Sequence, residues 1–260
     1  VTVASSTWTG QADYFCDGTD DDVEIQAAID YLSKIGGGQV LLTLGTFNLT
    51  EAHDTTYAGD AAKYSIAVYS NIKISGAGPF TILNYDNNAT YSFAFMCESG
   101  TSNIAFSNFS SVFENTALSG RFIWSGMCDG VYIDGISSNA NLLSHTDNKT
   151  TTALPPGICN IVNCECQSIL GSYINASNCN FTIIILLSHC NITSCNVTSP
   201  QELAIGVYGS YNTITGCNIK STSIAVQFDS ASSYNTLVSC TRDGLILDSG
   251  TGNVKANNAL

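Results

Sequence analysis

The N-terminal part of the chain has an amphipathic pattern with the period of an α-helix. Apolar residues recur there at intervals of three and four: Ile25, Ala28, Ile29 and Leu32. Asp21 followed by Glu24 three residues later is the arrangement of a capping box, and glycines at 36–38 are typical of a helix end. The pattern predicts a helix over 19–34 and a strand at 39–42.

Beyond this strand the helical period gives way to a short repeat. Its form is apolar-x-x-small-x-apolar, and the small residue is often Cys. Eight copies begin at Ile72, Ile104, Val131, Ile161, Ile192, Ile214, Leu237 and Val254. Their first residues lie 32, 27, 30, 31, 22, 23 and 17 positions apart. A 22-residue unit of three short strands with Gly, Asn and Ser turns is typical of one coil of a parallel β-helix, and longer spacings predict coils with inserted loops.

The length and the charge of the chain restrict its domain organisation and its binding partners. With 260 residues and 44% apolar residues, the chain predicts a single β-helix domain over 1–260: an N-terminal strand and capping helix in 1–38, then coils in 39–260. Only 11% of residues are charged, and 21 acids against 8 bases give a net charge of −13. This balance argues against nucleic-acid binding and against docking on anionic lipid. No apolar run reaches the length of a membrane span.

One segment resembles a known superfamily. Residues 12–30 read ADYFCDGTDDDVEIQAAID, similar to the N-terminal signature of pectate-lyase-like right-handed parallel β-helix proteins. Residues 212–219, NTITGCNI, are similar to the degenerate coil repeat of that group, while LTLGTF at 42–47 lacks the usual proline. The resemblance implies an all-β fold, a right-handed solenoid of about eight to nine coils with an N-terminal capping α-helix. It implies no activity, since this fold carries lyases, hydrolases, tail spikes and inert surface proteins.

Catalytic groups are not evident in the sequence. A glycosidase of this fold needs paired carboxylates, and the superfamily's catalytic motifs are missing beyond the N-terminal block. The arginines, Arg121 and Arg242, lack acids at coil spacing apart from Asp243, and a lone His189 favours a structural role. We therefore expect no catalytic residue and no cofactor.

An acidic run could bind Ca²⁺ through carboxylate oxygens: Asp17, Asp20, Asp21 and Asp22. Charge at a helix N-terminus accounts for the same residues, because the helix dipole and capping favour acids there. We expect no metal, with this run as the weak calcium candidate.

The eleven cysteines fall into columns of the repeat. Cys164, Cys195, Cys217 and Cys240 share one column, which Asn257 ends. A second column pairs Cys159 with Cys190, and a third pairs Cys97 with Cys128. Coils stack about 4.8 Å apart, within reach of a disulfide, but parallel side chains strain its dihedral angle. The spacing favours a buried ladder of thiols and leaves disulfides, within the chain or to a neighbouring subunit, as an alternative.

Eight N-x-[ST] sequons occur, and the chain begins at Val1, as a secreted protein does after signal removal. Both observations favour an extracellular, cell-surface protein. Glycans are expected first at Asn88, Asn108 and Asn148. The other candidates are Asn48, Asn175, Asn180 and Asn196. Asn191, which precedes a buried strand, is expected to carry none.

Two functional hypotheses follow. The sparse charge, the apolar balance and a last coil at 254–259 without a cap favour a non-catalytic structural protein that assembles with copies of itself into a layer, sheath or filament. The alternative is a carbohydrate-binding or polysaccharide-cleaving β-helix, tail-spike-like or pectate-lyase-like. It rests on the resemblance and on tyrosines able to stack on sugars: Tyr69, Tyr85, Tyr91, Tyr132 and Tyr208.

Overall fold

The protein is a right-handed parallel β-helix with an α-helix at its N-terminal end. The structure, a computed structural model, describes residues 1–50, 53–57, 60–85, 91–97, 100–114, 119–126, 128–145, 157–200 and 202–259. The strands up to residue 145 are β1 (Thr2–Ala4), β2 (Tyr14–Phe15), β3 (Gly38–Leu42), β4 (Gly45–Leu49), β5 (His53–Tyr57), β6 (Asp60–Val68), β7 (Ile72–Gly76), β8 (Thr81–Tyr85), β9 (Tyr91–Cys97), β10 (Ser102–Phe113), β11 (Ser119–Ser125), β12 (Asp129–Ser138) and β13 (Asn141–His145). The later strands are β14 (Cys159–Val162), β15 (Glu165–Gly171), β16 (Ile174–Ser177), β17 (Asn180–Leu186), β18 (Asn191–Thr193), β19 (Asn196–Ser199), β20 (Leu203–Val207), β21 (Thr213–Thr215), β22 (Asn218–Phe228), β23 (Thr236–Val238), β24 (Thr241–Asp248) and β25 (Val254–Ala256).

Each coil contributes to three lateral faces. Face A stacks β3, β7, the first parts of β10 and β12, then β14, β16, β18, β21, β23 and β25, through nine successive parallel pairings. Face B continues from β4 and β8 through later parts of β10 and β12 into the first parts of β15 and β17, then β19 and the first parts of β22 and β24. Face C contains β6, β9, β11, β13 and β20 with the ends of β15, β17, β22 and β24.

The helix α1 (Asp22–Lys34) closes the N-terminal end. Its apolar side, including Ile25, Ile29 and Leu32, belongs to the same buried cluster as the first coils. The helix ends where the Gly37 N–H donates to the Leu32 carbonyl (2.9 Å), with Gly37 at φ 119°. Helix and β3 thus confirm the predicted N-terminal elements.

The predicted capping box is wrong. Asp21 precedes the helix, but its side chain makes no cap hydrogen bond. Its Oδ1 accepts from the Gly18 N–H (2.9 Å) and its Oδ2 from the Asn48 N–H (2.7 Å). The carboxylate instead ties the segment before the helix to β4.

Apolar side chains fill the interior from Val3 to Cys240 in one continuous cluster. Phenylalanines dominate its middle, where Phe95, Phe106, Phe109 and Phe122 pack with ring centroids 5.1–5.5 Å apart. Burying such side chains is the main favourable contribution to a fold with so few charges.

Left-handed residues mark both corners of face A. The corner that leads into it carries positive φ angles at Gly37, Asn71, Asn103, Gly130, Tyr173, His189, Tyr211, Tyr234 and Gly252. The corner that follows it carries them at Asn108, Gly135, Asn163, Asn178, Ser194, Gly216, Ser239 and Asn257. Gly and Asn adopt this conformation at least cost, which explains their frequency in the repeat.

Three details of the predicted repeat need correction. The copies at Ile72, Ile104 and Val131 begin two residues earlier in the coil than the later copies, because Ile161 pairs with Ile133 rather than with Val131. The 31-residue spacing from Ile161 to Ile192 is two coils rather than one with a loop, because Ala176 pairs with both. The last copy begins one residue later than predicted, since Lys255 pairs with Leu237. In the last two places a residue that is not strongly apolar holds the expected apolar position.

A hairpin interrupts the regular coils. β5 pairs antiparallel with β6 and brings Tyr57 against the outer side of face C. There Tyr57 packs on Phe93 (5.4 Å between centroids) and Trp124 (5.9 Å), and its hydroxyl lies 2.9 Å from Ser144 Oγ. The hairpin therefore forms a second apolar cluster outside the coils.

α1 has 13 residues, and among the residues that the structure describes no helix has the length and apolar character needed to cross a bilayer.

Candidate functional site

Four aromatic side chains project from the corner that leads into face A. This aromatic row consists of Tyr173, His189, Tyr211 and Tyr234. Successive ring centroids are 4.8, 5.3 and 5.6 Å apart, with interplanar angles of 7°, 31° and 12°. The spacing follows the coil repeat, so the row runs parallel to the helix axis.

The rings present their edges to solvent. Tyr211 is 57% exposed and Tyr234 is 62% exposed, and His189 is exposed as well. Next in the column is Gly252, where an added Cβ would come within 3.0 Å of the Tyr234 ring. The faces are therefore covered by neighbours, and a ligand meets ring edges and tyrosine hydroxyls.

Serines precede every member of the row. The Ser188 Oγ accepts from the Ser210 N–H (3.1 Å), and the Ser210 and Ser233 hydroxyls lie 2.8 Å apart. Ser172 Oγ similarly accepts from the Ser188 N–H (3.3 Å). A line of hydroxyl groups thus borders the aromatic row.

On its other side the row adjoins the outer surface of face A. In the register of the strands, two columns point outwards there: Asn160, Asn175, Asn191, Thr213 and Thr236 in the first, and Val162, Ser177, Thr193, Thr215 and Val238 in the second. Most of these side chains are half-buried, and none is charged. We call this surface, with the aromatic row and its serines, the polar face.

Tyr132 and Asp134 lie at the N-terminal end of the polar face. Tyr132, 43% exposed, pairs with Asn160, and Asp134 pairs with Val162. Burial and the neighbouring Asp134 carboxylate raise the pKa of the Tyr132 hydroxyl, which therefore keeps its proton and can donate a hydrogen bond. Asp134 Oδ1 accepts from Asn163 Nδ2 (3.0 Å).

A buried asparagine ladder supports the aromatic row from inside. Asn235 Oδ1 accepts from the Asn212 N–H (2.8 Å), and Asn253 Oδ1 accepts from the Asn235 N–H (2.9 Å). Asn212 Oδ1 accepts from the Cys190 N–H (2.9 Å). Cys190, Asn212 and Asn235 are buried and Asn253 is half-buried. Each directly follows a member of the aromatic row or Gly252, so the ladder fixes the backbone that carries the rings.

A cysteine ladder lies behind the opposite corner. Its members are Cys164, Cys179, Cys195, Cys217 and Cys240, all buried. The sequence prediction omitted Cys179 and ended the column at Asn257; instead Asn258 Oδ1 accepts from the Cys240 N–H (3.0 Å). Asn257 is the preceding left-handed residue.

The other two cysteine columns are also corrected. Ile174 lies between Cys159 and Cys190, so these two are not stacking neighbours. Cys97 pairs with Ser125 in the register, although Cys128 Sγ donates to the Cys97 carbonyl (3.2 Å) from outside the strand. All eleven cysteines belong to the described part of the chain and are buried thiols.

The acidic run does not gather into a cation site. Asp17 Oδ1 accepts from Thr19, Asp22 Oδ1 accepts from Thr50, and Asp21 binds the backbone amides given above. Within the residues described, only Cys16, Asp21 and Glu24 bring ligand atoms within 4.8 Å of one another. Burial and the nearby acids keep the pKa of the Cys16 thiol well above its usual value, which disfavours a metal thiolate.

The sequons differ in accessibility. Asn108, Asn180 and Asn196 are exposed, whereas Asn48 and Asn175 are half-buried and their Nδ2 atoms donate to Gly18 O and Asn160 Oδ1. Asn88 and Asn148 lie outside the described residues. Asn191 is exposed between the buried residues Cys190 and Ile192, and the absence of a glycan there stays a prediction.

The tyrosines chosen from the sequence are mostly not the exposed ones. Tyr85 is fully buried, Tyr69 and Tyr91 are partly buried, and Tyr132 and Tyr208 are exposed. The aromatic row was missed, although a signal exists: Ser-Tyr or Ser-His occurs at 172–173, 188–189, 210–211 and 233–234, each directly before a strand of face A. His189 is a member of this row rather than an isolated residue.

Comparison with known proteins bears on the fold. No protein-family model matches the chain, and no curated protein matches it significantly. Among solved structures, ORF18 of Geobacillus virus E2 has a TM-score of 0.59 at 13% identity, over 92% of this chain and 59% of that one. A tailspike protein mutant of E. coli bacteriophage HK620 has a TM-score of 0.52 at 11% identity, over 98% of this chain and 66% of that one. The chain thus spans less than two thirds of either relative.

A third similar structure is the tailspike gp49 of Acinetobacter baumannii bacteriophage Fri1, a capsular polysaccharide depolymerase, with a TM-score of 0.45 at 11% identity, over 99% of this chain and 57% of that one. At their identities, the likenesses to ORF18 and to the HK620 tailspike show the fold alone.

Proposed function

We propose that the protein binds an uncharged polysaccharide lengthwise along the polar face. The observation that carries the proposal is the aromatic row, whose exposed edges and hydroxyls repeat at 4.8–5.6 Å beside columns of Ser, Asn and Thr. Sugars offer hydroxyl groups for hydrogen bonds and apolar C–H surface, and this face offers tyrosine and serine hydroxyls for the first and aromatic ring edges for the second.

The face suits binding because its backbone is held in place. Both corners are fixed, one by the asparagine ladder and the other by the cysteine ladder. A ligand therefore does not have to order the strands when it binds, which lowers the entropic cost of association.

This proposal takes up the carbohydrate alternative of the sequence analysis. Nothing in the described structure or in the comparisons supports the structural layer, sheath or filament favoured there. The likeness to the HK620 tailspike is in keeping with the tail-spike-like form of that alternative and with a protein that acts outside the cell or on a virion. Association between copies of the chain stays a prediction.

A binding experiment tests the proposal. The purified protein is applied to an array of neutral and acidic bacterial surface polysaccharides, and affinities for those retained are measured by calorimetry. Tyr211→Ala and Tyr234→Ala should each weaken binding about tenfold, the loss expected when one good contact of about 1.4 kcal/mol is removed.

Tyr31→Ala is the matched control, because Tyr31 is 51% exposed but lies on α1, away from the polar face. It should leave affinity unchanged. Retention of no neutral polysaccharide, or equal losses in the control and in the two row variants, would refute the proposal.

A further inference from the structure

Cys97 and Cys128 differ from the other cysteines in how they meet. Cys97 ends β9, while Cys128 lies outside the strands, directly before β12. The Cys128 Sγ donates to the Cys97 carbonyl at 3.2 Å, and the two thiols also interact with each other. Cys97 pairs with Ser125, and Cys128 stands at the position of Thr101 because Ser102 pairs with Asp129. The two cysteines therefore do not occupy equivalent positions of adjacent coils.

The cysteine ladder has the opposite geometry. Its members occupy equivalent positions of adjacent coils, as the backbone N–H of Cys164 and of Cys217 donating to Sγ of the next member (3.4 Å each) shows. Side chains that leave adjacent strands in parallel cannot reach the disulfide dihedral of about 90° without strain. Contact between neighbouring thiols of the ladder therefore does not predict a disulfide bond between them.

We infer that Cys97 and Cys128 are the site at which this protein forms a disulfide when it meets a small oxidant such as hydrogen peroxide. The Cys128 thiolate attacks one peroxide oxygen, giving the sulfenic acid and hydroxide. The Cys97 sulphur then attacks the sulfenic sulphur, and the S–S bond forms as the hydroxyl leaves with the Cys97 proton as water. Two thiols and one peroxide become one disulfide and two waters.

The surroundings of Cys128 favour its role as attacking group. Hydrogen bonding from Cys97, with Thr101 Oγ1 at 3.1 Å, lowers the pKa of the Cys128 thiol to about 7 against the effect of burial. In the ladder, by contrast, contacts between neighbouring thiols and burial raise the pKa of Cys195 to about 12 and of Cys217 to about 11. Reactivity with peroxide depends on the thiolate and on access, and because all eleven cysteines are buried, the lowered pKa is what should make Cys128 react first.

Two further titratable groups near the pair, Cys159 and His145, stay uncharged around neutral pH, while Asp129 directly follows Cys128 in the chain. Burial raises the pKa of Cys159, so this thiol keeps its proton. Burial lowers the pKa of His145, whose Nδ1 lies 3.0 Å from the Ser125 hydroxyl and whose Nε2 donates to the Gly157 carbonyl (2.8 Å). The ionisation of Cys128 should therefore govern the pH dependence of oxidation.

The experiment is oxidation of the native chain with hydrogen peroxide, followed by alkylation of remaining thiols and peptide mapping. One disulfide, joining the peptides of Cys97 and Cys128, is expected. Its rate of formation should rise about tenfold from about pH 6 to about pH 8, as the thiolate fraction rises across a pKa near 7.

Variants separate the role of Cys128 as the thiol that attacks peroxide from the role of Cys97 as the thiol that completes the disulfide. Cys97→Ala removes the hydrogen bond that lowers the pKa of Cys128, so the first step should be slower and should stop at a sulfenic acid on Cys128, which dimedone traps. Cys128→Ala should abolish both products. Cys217→Ala, a ladder thiol, should form the same disulfide as the unaltered chain. Each variant is compared at equal native content by circular dichroism.

Disulfides within the ladder, or oxidation of Cys128 without any bond to Cys97, would overturn the inference. If Cys97→Ala does not fold, the disulfide map and the pH profile of the unaltered chain decide the question. The outcome does not depend on polysaccharide binding, because no residue of the polar face is involved.

Discussion

At the scale of single residues, buried asparagines replace backbone pairing that a coil corner cannot provide. Asn235 is 1% exposed, and its Oδ1 accepts from the Asn212 N–H while its Nδ2 donates to the Gly209 carbonyl (3.0 Å). Removing this side chain leaves both backbone groups buried without that partner. An unsatisfied buried group costs about 1–3 kcal/mol.

Asn235→Ala should therefore lower the free energy of unfolding by about 2–4 kcal/mol, measured by urea denaturation. Asn196→Ala is the control, since exposed Asn196 donates only to Asn180 Oδ1 (2.9 Å) at the surface. It should cost less than about 1 kcal/mol. Equal losses in the two variants would contradict a specific role for the asparagine ladder.

A second residue-scale prediction concerns Asp22, which is buried at the start of α1. Burial raises the pKa of its carboxyl, although the Thr50 N–H (3.0 Å) and hydroxyl (3.1 Å) donate to Oδ1 and oppose the shift. The folded state thus holds this proton more tightly than the unfolded state, and the stability this provides at low pH is lost as pH rises through the folded pKa.

Asp22→Asn keeps an acceptor for Thr50 and removes the ionisation. Its stability relative to the unaltered chain should increase as pH rises from below the ordinary carboxyl pKa to neutrality, as followed by urea denaturation across that range. A difference that stays constant with pH would show that burial of the charge does not matter here.

At the scale of elements, the repeat predicts the coils but not the hairpin. Apolar residues facing the interior recur in every coil because all coils fill one core, so the pattern is visible in the sequence. The hairpin occurs once, within the 31 residues between Val40 and Ile72, and its partners on face C come from distant coils. No local pattern encodes such contacts.

The candidate site was missed for a related reason. Tyrosine in a strand pattern suggests a sheet residue, and only the register shows that Tyr211 and Tyr234 occupy left-handed corners and stack. Tyr85, by contrast, is also a tyrosine in a strand pattern, but its side chain is buried in the core. Aligning the coils by Ser-Tyr and Ser-His would have revealed the row.

The hairpin yields an element-scale prediction. Tyr57 is 8% exposed and anchors the hairpin on Trp124, so Tyr57→Ala should cost about 3 kcal/mol of unfolding free energy and shift Trp124 fluorescence to longer wavelength. Tyr57→Phe, which loses only the contact with Ser144, should cost about 1 kcal/mol and leave the emission unchanged. An unshifted emission in Tyr57→Ala would mean that the hairpin does not cover Trp124.

At the scale of the whole molecule, the distribution of charge shapes how the polar face meets a ligand. The chain carries a net charge of −13, yet the two outward columns from Asn160 to Val238 contain no charged side chain. Binding there should not depend on attraction between charges. The affinity for the retained polysaccharide should therefore change less than about twofold between about 0.05 M and about 0.5 M NaCl, measured by calorimetry. A steep loss with salt would place the ligand elsewhere.

The linear arrangement of the row sets the last expectation. Its four rings follow one another along the axis of the β-helix, with distances of 4.8, 5.3 and 5.6 Å between successive centroids. An oligosaccharide aligned with the row therefore gains contacts with each added sugar until the oligosaccharide spans the row. Affinity measured with fragments of increasing length should rise and then level off. In Tyr234→Ala, which shortens the row at its C-terminal end, the plateau should come at a shorter fragment, whereas Tyr31→Ala should leave it in place. A ligand lying across the coils would instead give the same plateau in all three proteins, because it contacts one coil regardless of the length of the row.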